Sequence, residues 1–301
     1  MTFKAIHLGR IFNRLMKSND KIKGIIFILL AALGFSLMTF FVRISGDLPT
    51  MQKAFFRNFV ALIVASVAIF KSNEGFHIGK GNLLDLLLRA SFGTAGLISN
   101  FYAVDRLGIA DANMLNKLSP FFAIILSIFI LKEIPNRFDI LTTIIAFIGA
   151  LFIIRPTGAF TSVFPALIGL LGGFCAGTAY VFVRKLTKNG IKTPVIVFAF
   201  SLFSCLVTLP FLLVGYVTMR PIQWLYLVLA GVSASLGQFA ITTAYKYAPA
   251  KEISVFDYTQ VIFAALLGLI FLGEVPVLYS LLGYTIIIGI AVLRWHRNLK
   301  S

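Results

Sequence analysis

Asn113, Asn116, Lys117 and Pro120 fall in one long apolar stretch, at spacings of 3, 4 and 7 that put them on one helical face. A second apolar stretch carries Asp257, Tyr258 and Gln260. Amide, ammonium, carboxylate and phenol groups in apolar surroundings can bind a polar solute or move a proton. A charge at the centre of a bilayer costs on the order of 2.5–3.5 kcal/mol on insertion scales, so such residues face a cavity, a partner or water. Lys117 lies about 10 Å into its helix at 1.5 Å per residue. Its polar neighbours favour a cavity role over snorkelling to the interface. Pro120 lacks a backbone N–H and can kink the helix, which suits a substrate chamber. Asp257 is the most deeply placed acid. Burial favours its neutral form and so reversible protonation, whereas a nearby Lys117 favours the carboxylate. Asp257 therefore couples proton movement, binds a substrate ammonium, or forms a fixed ion pair with Lys117 or Arg57.

Other polar residues inside apolar stretches are Asn58, Tyr180 and Gln238, which join the candidate substrate-binding set. Gln238 beside Gly237 also suits a bridge between helices. Arg57 and Arg89 each lie about six residues inside a span, close enough to an end to snorkel or anchor it. Asn100 and Tyr102 suit either an aromatic belt or the cavity. Glu133 and Glu274 each stand two residues before a proline that can open the next helix. A carboxylate there favours the positive helix end, so both read as caps.

The elements that must position these groups are apolar on all sides. Candidate spans cover 23–43, 51–70, 83–103, 110–131, 137–154, 163–184, 194–217, 223–245, 252–272 and 277–294. Each is near the roughly 20 residues that a hydrocarbon core about 30 Å thick requires. Hydrophobic residues make up 59% of the chain and charged residues 13%, half the charge of a globular chain. The reading is an all-α polytopic membrane protein. An even span count puts both termini on one face. Most of the 27 lysines and arginines then gather on that face, leaving Arg43, Lys53, Arg106, Arg155 and Arg220 for the other. The excess of basic residues marks the cytoplasmic side, so both ends are expected there, in the plasma (inner) membrane. Residues 1–21 form a basic N-terminal segment. In it Leu8, Ile11, Phe12 and Leu15 are interleaved with Arg10, Arg14 and Lys17, which suits either a surface helix or a disordered tail. The first apolar run reads as an uncleaved span, not a signal peptide.

An offset of 141 residues superposes the chain on itself. Leu29-Leu30 meets Leu170-Leu171, Phe41-Val42-Arg43 meets Phe182-Val183-Arg184, Gly96 meets Gly237, and Glu133-Ile134-Pro135 meets Glu274-Val275-Pro276. The boundaries are 22–156 and 157–297, five helices each. Five is odd, so the second copy enters from the opposite side, the inverted-repeat architecture of many secondary transporters. The offset also carries Asn116 onto Asp257, Lys117 onto Tyr258 and Ser119 onto Gln260. Both polar clusters would then face one chamber. Gly169, Gly173 and Gly177 recur every four residues, a small-residue face for close packing within the bundle or in a homodimer.

Ten spans in two halves, with Leu131-Lys132-Glu133-Ile134-Pro135 and Leu272-Gly273-Glu274-Val275-Pro276 closing spans four and nine, resemble the drug/metabolite transporter superfamily, EamA type. The Ala244-Tyr245-Lys246-Tyr247-Ala248-Pro249-Ala250 run is similar to that family as well. The resemblance covers about residues 20–295 and implies an exporter or exchanger of small metabolites, with the fold better specified than the substrate.

Rival classes lack their chemistry. The three histidines lie in tails or a loop, and Cys175 and Cys205 are placed for neither a disulfide nor a metal. No cofactor or metal is expected. No paired catalytic groups lie at depth, so an enzyme is not expected. The basic residues cap apolar segments, which argues for membrane orientation and against nucleic acid. With no phosphate-binding Gly-rich loop, transport would draw on a gradient or on exchange. The mixed polar residues favour a small polar metabolite, amino acids first. Nucleobase, drug or cation efflux is the alternative, and lipid scrambling or a scaffold role is more remote.

Overall fold

The computed structural model describes the backbone of residues 2–72, 75–79, 81–107, 115–154, 163–273 and 278–300. Side chains are described from Asn19 on, except at 104, 105, 107, 153, 154, 280 and 298–300. Among the described residues there is no strand. The helices are α1 Thr2–Ile44, α2 Thr50–Lys71, α3 Leu83–Leu107, α4 Ser119–Leu131, α5 Arg137–Ile154, α6 Val163–Lys188, α7 Thr193–Gly215 and α8 Pro221–Tyr247. The ninth span is composite: α9 Ala250–Ile253, a 3-10 helix Ser254–Tyr258, and α10 Thr259–Leu272. The chain ends in α11 Leu278–Lys300. Six of the described segments are long and apolar enough to cross a membrane by length and composition, and Ser119–Leu131 is a shorter apolar helix. Outward-facing Phe70, Phe129, Leu213, Val214 and Leu278 are largely exposed, as lipid-facing residues must be.

The backbone of the basic N-terminal segment is helical from Thr2 and continues without a break into the first span. Several starts follow local chemistry. Pro120, Pro194 and Pro221 stand in the first turns of α4, α7 and α8, where their missing N–H costs nothing. The Gln223 side chain accepts the Arg220 N–H at the start of α8 (2.9 Å). α4 and α10 end alike. Lys132 and Gly273, 141 residues apart, both take a left-handed conformation (φ 56° and 66°), and their N–H groups donate to Ser127 and Gly268, again 141 apart. Glycine accepts that geometry freely and lysine does so at a cost.

The packing repeats the same exchange. α1 lies along α8 and α3 along α6, and the offset carries one pair into the other. α2 with α7, and α5 with α11, are pairs that the offset maps onto themselves. Where α1 crosses α8, a Cβ on Gly34 would stand 2.7 Å from the Gly237 nitrogen. Where α3 crosses α6, a Cβ on Gly96 would stand 3.1 Å from the Ala176 nitrogen. The architecture is two inverted five-helix repeats. The glycine stripe of α6 serves this bundle from within. Gly173 faces the Leu115 carbonyl, and Gly177 faces the Ser119 carbonyl and the Ala123 nitrogen. The matching Ser36 of α1 donates to the Gln260 carbonyl (2.9 Å). Carbonyls 119 and 260 are themselves related by the offset.

Candidate functional site

The fourth span is not one kinked helix. Leu115 and Asn116 are helical, Lys117 and Leu118 form a turn, and α4 starts afresh at Ser119. Pro120 thus sits in a first turn, and the break lies just before it. At the repeat-related place the ninth span tightens into the 3-10 stretch Ser254–Tyr258. Irregular backbone at membrane depth is tolerated where protein groups bond its freed donors and acceptors. Here the two interruptions bond each other. Lys117 Nζ lies 3.1 Å from Asp257 Oδ2, 2.7 Å from Gln260 Oε1 and 3.3 Å from the Asp257 carbonyl. In return the Tyr258 hydroxyl donates to the Lys117 carbonyl (3.0 Å). Lys117, Asp257 and Tyr258 are buried, and Asn116 and Gln260 are partly so. Of the two companions the sequence offered for Asp257, the ion pair is with Lys117. Asn113 lies outside the described residues.

A second polar cluster gathers around Tyr180 on α6. Its ring stacks on Tyr245 of α8 with centroids 5.3 Å apart. Arg57 of α2 and Arg89 of α3 are buried as well. Neither arginine reaches the interface, contrary to the snorkelling and anchoring expected of them. Arg57 is 3% exposed and Arg89 2%. Arg57 Nε donates to the Met38 Sδ (2.8 Å), and its Nη1 to Asn58 Oδ1 (3.3 Å). Arg89 lies over the Phe200 ring, 4.4 Å from its centroid, and its Nη2 donates to Gln238 Oε1 (3.1 Å). Gln238 therefore bridges α8 to α3. The snorkelling rule reads depth from the nearer helix end and so missed both arginines; their neighbours decide burial. One signal was available at Gly93, a helical turn beyond Arg89. The guanidinium occupies the space that a Cβ there would fill.

Polar ties join the helices at both ends of the bundle. On the face carrying most basic residues, Glu133 Oε1 accepts from Arg184 Nε (3.2 Å) and Lys188 Nζ (2.6 Å). Arg184 also donates to the carbonyls of Tyr245 and Lys246. Lys185 pairs with Asp85 (2.9 Å) and Arg294 with Asp139 (2.9 Å). Glu133 thus ties α6 to the end of α4 and does not cap the next helix, because two cations outbid a helix end for one carboxylate. Glu274 lies outside the described residues. On the opposite face Gln52 exchanges two hydrogen bonds with the backbone of Val217 (2.8 and 2.9 Å), and Gln223 donates to the Ser45 carbonyl (2.9 Å). A cavity of about 390 Å³ beside α2 and α7 is lined by apolar groups such as Ile69, Phe70, Phe76 and Phe198, and by none of the polar candidates. Among the described residues no cluster of three or more metal-ligating side chains occurs.

The chain as a whole is similar to known proteins. The profile of the EamA-like transporter family matches residues 22–155 and again 163–295. An uncharacterized transporter of Helicobacter pylori is 30% identical over 264 residues, covering 85% of this chain and 88% of its own. The pseudopaline exporter CntI of Pseudomonas aeruginosa is 30% identical over 282 residues, covering 92% and 97%. Human solute carrier family 35 member G1 is 25% identical over 298 residues, covering 92% and 81%. One solved crystal structure superposes with a TM-score of 0.81 at 16% identity, over 92% of this chain and 97% of the other.

Proposed function

The chain belongs to the EamA-like transporter family, and from that premise we propose that it is a secondary active carrier of a small polar metabolite, working by alternating access between its two halves. It is a transporter and an integral membrane protein, not an enzyme. One observation carries the finer reading. Two repeat-related helices are interrupted at the same level, and their polar groups close on each other through Lys117 and Asp257. Interrupted helix pairs at a repeat interface are where secondary transporters bind solute. The substrate chamber in this reading is formed by Asn116, Lys117, Asp257, Tyr258 and Gln260, with Asn58, Tyr180 and Gln238 as its further wall. Asn113 is assigned there on sequence alone. Amino acids are the first substrate class to try. Transport is outward or by exchange, with both termini on the cytoplasmic side of the plasma membrane.

Asp257 is the residue to which proton coupling is assigned. Each time substrate or rocking parts it from Lys117, the free carboxylate can take a proton. Counterflow into proteoliposomes tests the carrier, since preloaded substrate accelerates uptake in a carrier and not in a pore or scaffold. Asp257→Asn is expected to abolish the pH dependence of that uptake. Unchanged uptake with an unchanged pH profile would remove Asp257 from the mechanism.

A further inference from the structure

Among the described residues, no acid lies within ion-pair distance of Arg57 or Arg89. Among the described residues, five other bases have an acid at hand: Lys117 has Asp257, Arg184 and Lys188 share Glu133, Lys185 has Asp85, and Arg294 has Asp139. Those acids are engaged, and none lies within ion-pair distance of Arg57 or Arg89. What holds these two arginines is neutral: a thioether and an amide for one, an aromatic face and an amide for the other. The Arg89 Nε and the Asn58 Nδ2 beside Arg57 are buried with no hydrogen-bond partner among the described residues. An uncompensated buried charge is costly in ordinary proteins, and an orphaned buried donor adds to that cost. Symmetry does not require the expense. The offset carries Arg57 onto Phe198 and Arg89 onto Ala230, so the second half builds the same helices without either cation.

We infer that Arg57 and Arg89 form the anion subsite of the transported solute, and that the solute is a small organic acid carrying at least one carboxylate. This inference rests on the carrier reading above and gives its substrate class. A guanidinium presents a planar fork of donors matched to a carboxylate, and the pair is strongest where water is excluded. Thioether, ring and amide contacts hold the two guanidiniums in place without neutralising them, and an arriving carboxylate can displace them. Asp257 and Lys117, already paired, add no net charge. The excess at the site is the two arginines, which suits dicarboxylates and acidic amino acids best.

The test uses the full chain purified in detergent and screened by thermal unfolding. The probes are succinate, glutarate, L-glutamate and L-aspartate, each against its neutral partner: succinamide, glutaramide, L-glutamine and L-asparagine. Sodium chloride and sodium sulfate are the inorganic controls. At least one carboxylate is expected to raise Tm where its amide does not. Loss of one charge-assisted contact raises its half-saturating concentration about tenfold or more in Arg57→Gln and Arg89→Gln, with partial recovery in the lysine variants. A ligand-independent arm measures Arg57→Met and Arg89→Met without solute. Removing an uncompensated charge while keeping bulk is expected to leave Tm equal or higher, with transport lost. Four results overturn the inference: no carboxylate effect, equal effects of acids and amides, equal effects of chloride or sulfate, or a marked Tm loss in both methionine variants. Counterflow by a neutral or cationic solute that survives Arg89→Gln would sink this substrate class and leave the carrier standing. No counterflow by any solute would sink the carrier itself.

Discussion

Lys117 and Asp257 show how a single charge is made tolerable at depth. Each is buried, each comes from a broken helix, and each satisfies the other together with Gln260. Removing one partner leaves the other charge stranded, so Lys117→Gln alone should cost about 3–5 kcal/mol of stability. The double change Lys117→Met with Asp257→Leu should recover most of that loss, since an apolar pair of similar volume replaces a buried ion pair at little cost. Thermal unfolding in detergent reads both. A double variant no better than the single one would mean that the pair does more than neutralise itself. These two residues were legible in the sequence because a charge in an apolar helix is conspicuous. Arg57 and Arg89 were equally conspicuous, but their surroundings were not. Met38 comes from α1, Phe200 from α7 and Gln238 from α8, and no spacing rule brings them together.

Helices in this protein are positioned by absence of side chain as much as by its presence. At Gly173 an added Cβ would lie 2.6 Å from the Leu115 carbonyl, and backbone cannot move aside as a flexible side chain can. Gly173→Val should therefore part α6 from the fourth span, destabilising by about 1–3 kcal/mol or preventing folding. Gly289→Ala, where nothing stands within 4 Å, serves as the control and should be neutral or slightly stabilising. Expression and Tm of the two variants make the comparison. Lys132 offers the opposite test. Its left-handed conformation, shared with Gly273, should make Lys132→Gly stabilising by about 0.5–1 kcal/mol. A lower Tm would mean that the lysine side chain supports the helix end in some other way. The stripe of glycines was visible in the sequence as a packing face. Which helix it meets was not, because a small-residue face fits any neighbour.

Across the whole molecule, polar ties hold the helices together at both ends of the bundle. Ion pairs through Glu133, Asp85 and Asp139 are among the ties at one face, and the amides of Gln52 and Gln223 are among those at the other. Glu133→Ala releases Arg184 and Lys188 together, and should raise hydrogen–deuterium exchange at residues 131–134 and 184–190 while the Gln52 side keeps its protection. Equal increases at both ends would indicate general loosening, not release of one face. Cysteine labelling from the two sides of the membrane should place residues 43–50 and 184–193 on opposite faces, as inverted halves require. Labelling of both from one side would undo the inverted arrangement.

Hydropathy, the excess of basic residues at one set of helix ends, and one constant offset determined the span order, the duplication and its inversion, because each is a property of the chain read along its length. The same offset relates the two polar clusters along the chain. Tertiary structure alone decided which polar groups meet: that Lys117 takes Asp257, that Glu133 binds α6 and caps nothing, and that two arginines lie buried with neutral company. Burial and partnership depend on what other helices bring to a point in space. In a chain where nearly every helix is apolar all round, the pattern within one helix does not say which neighbour it faces.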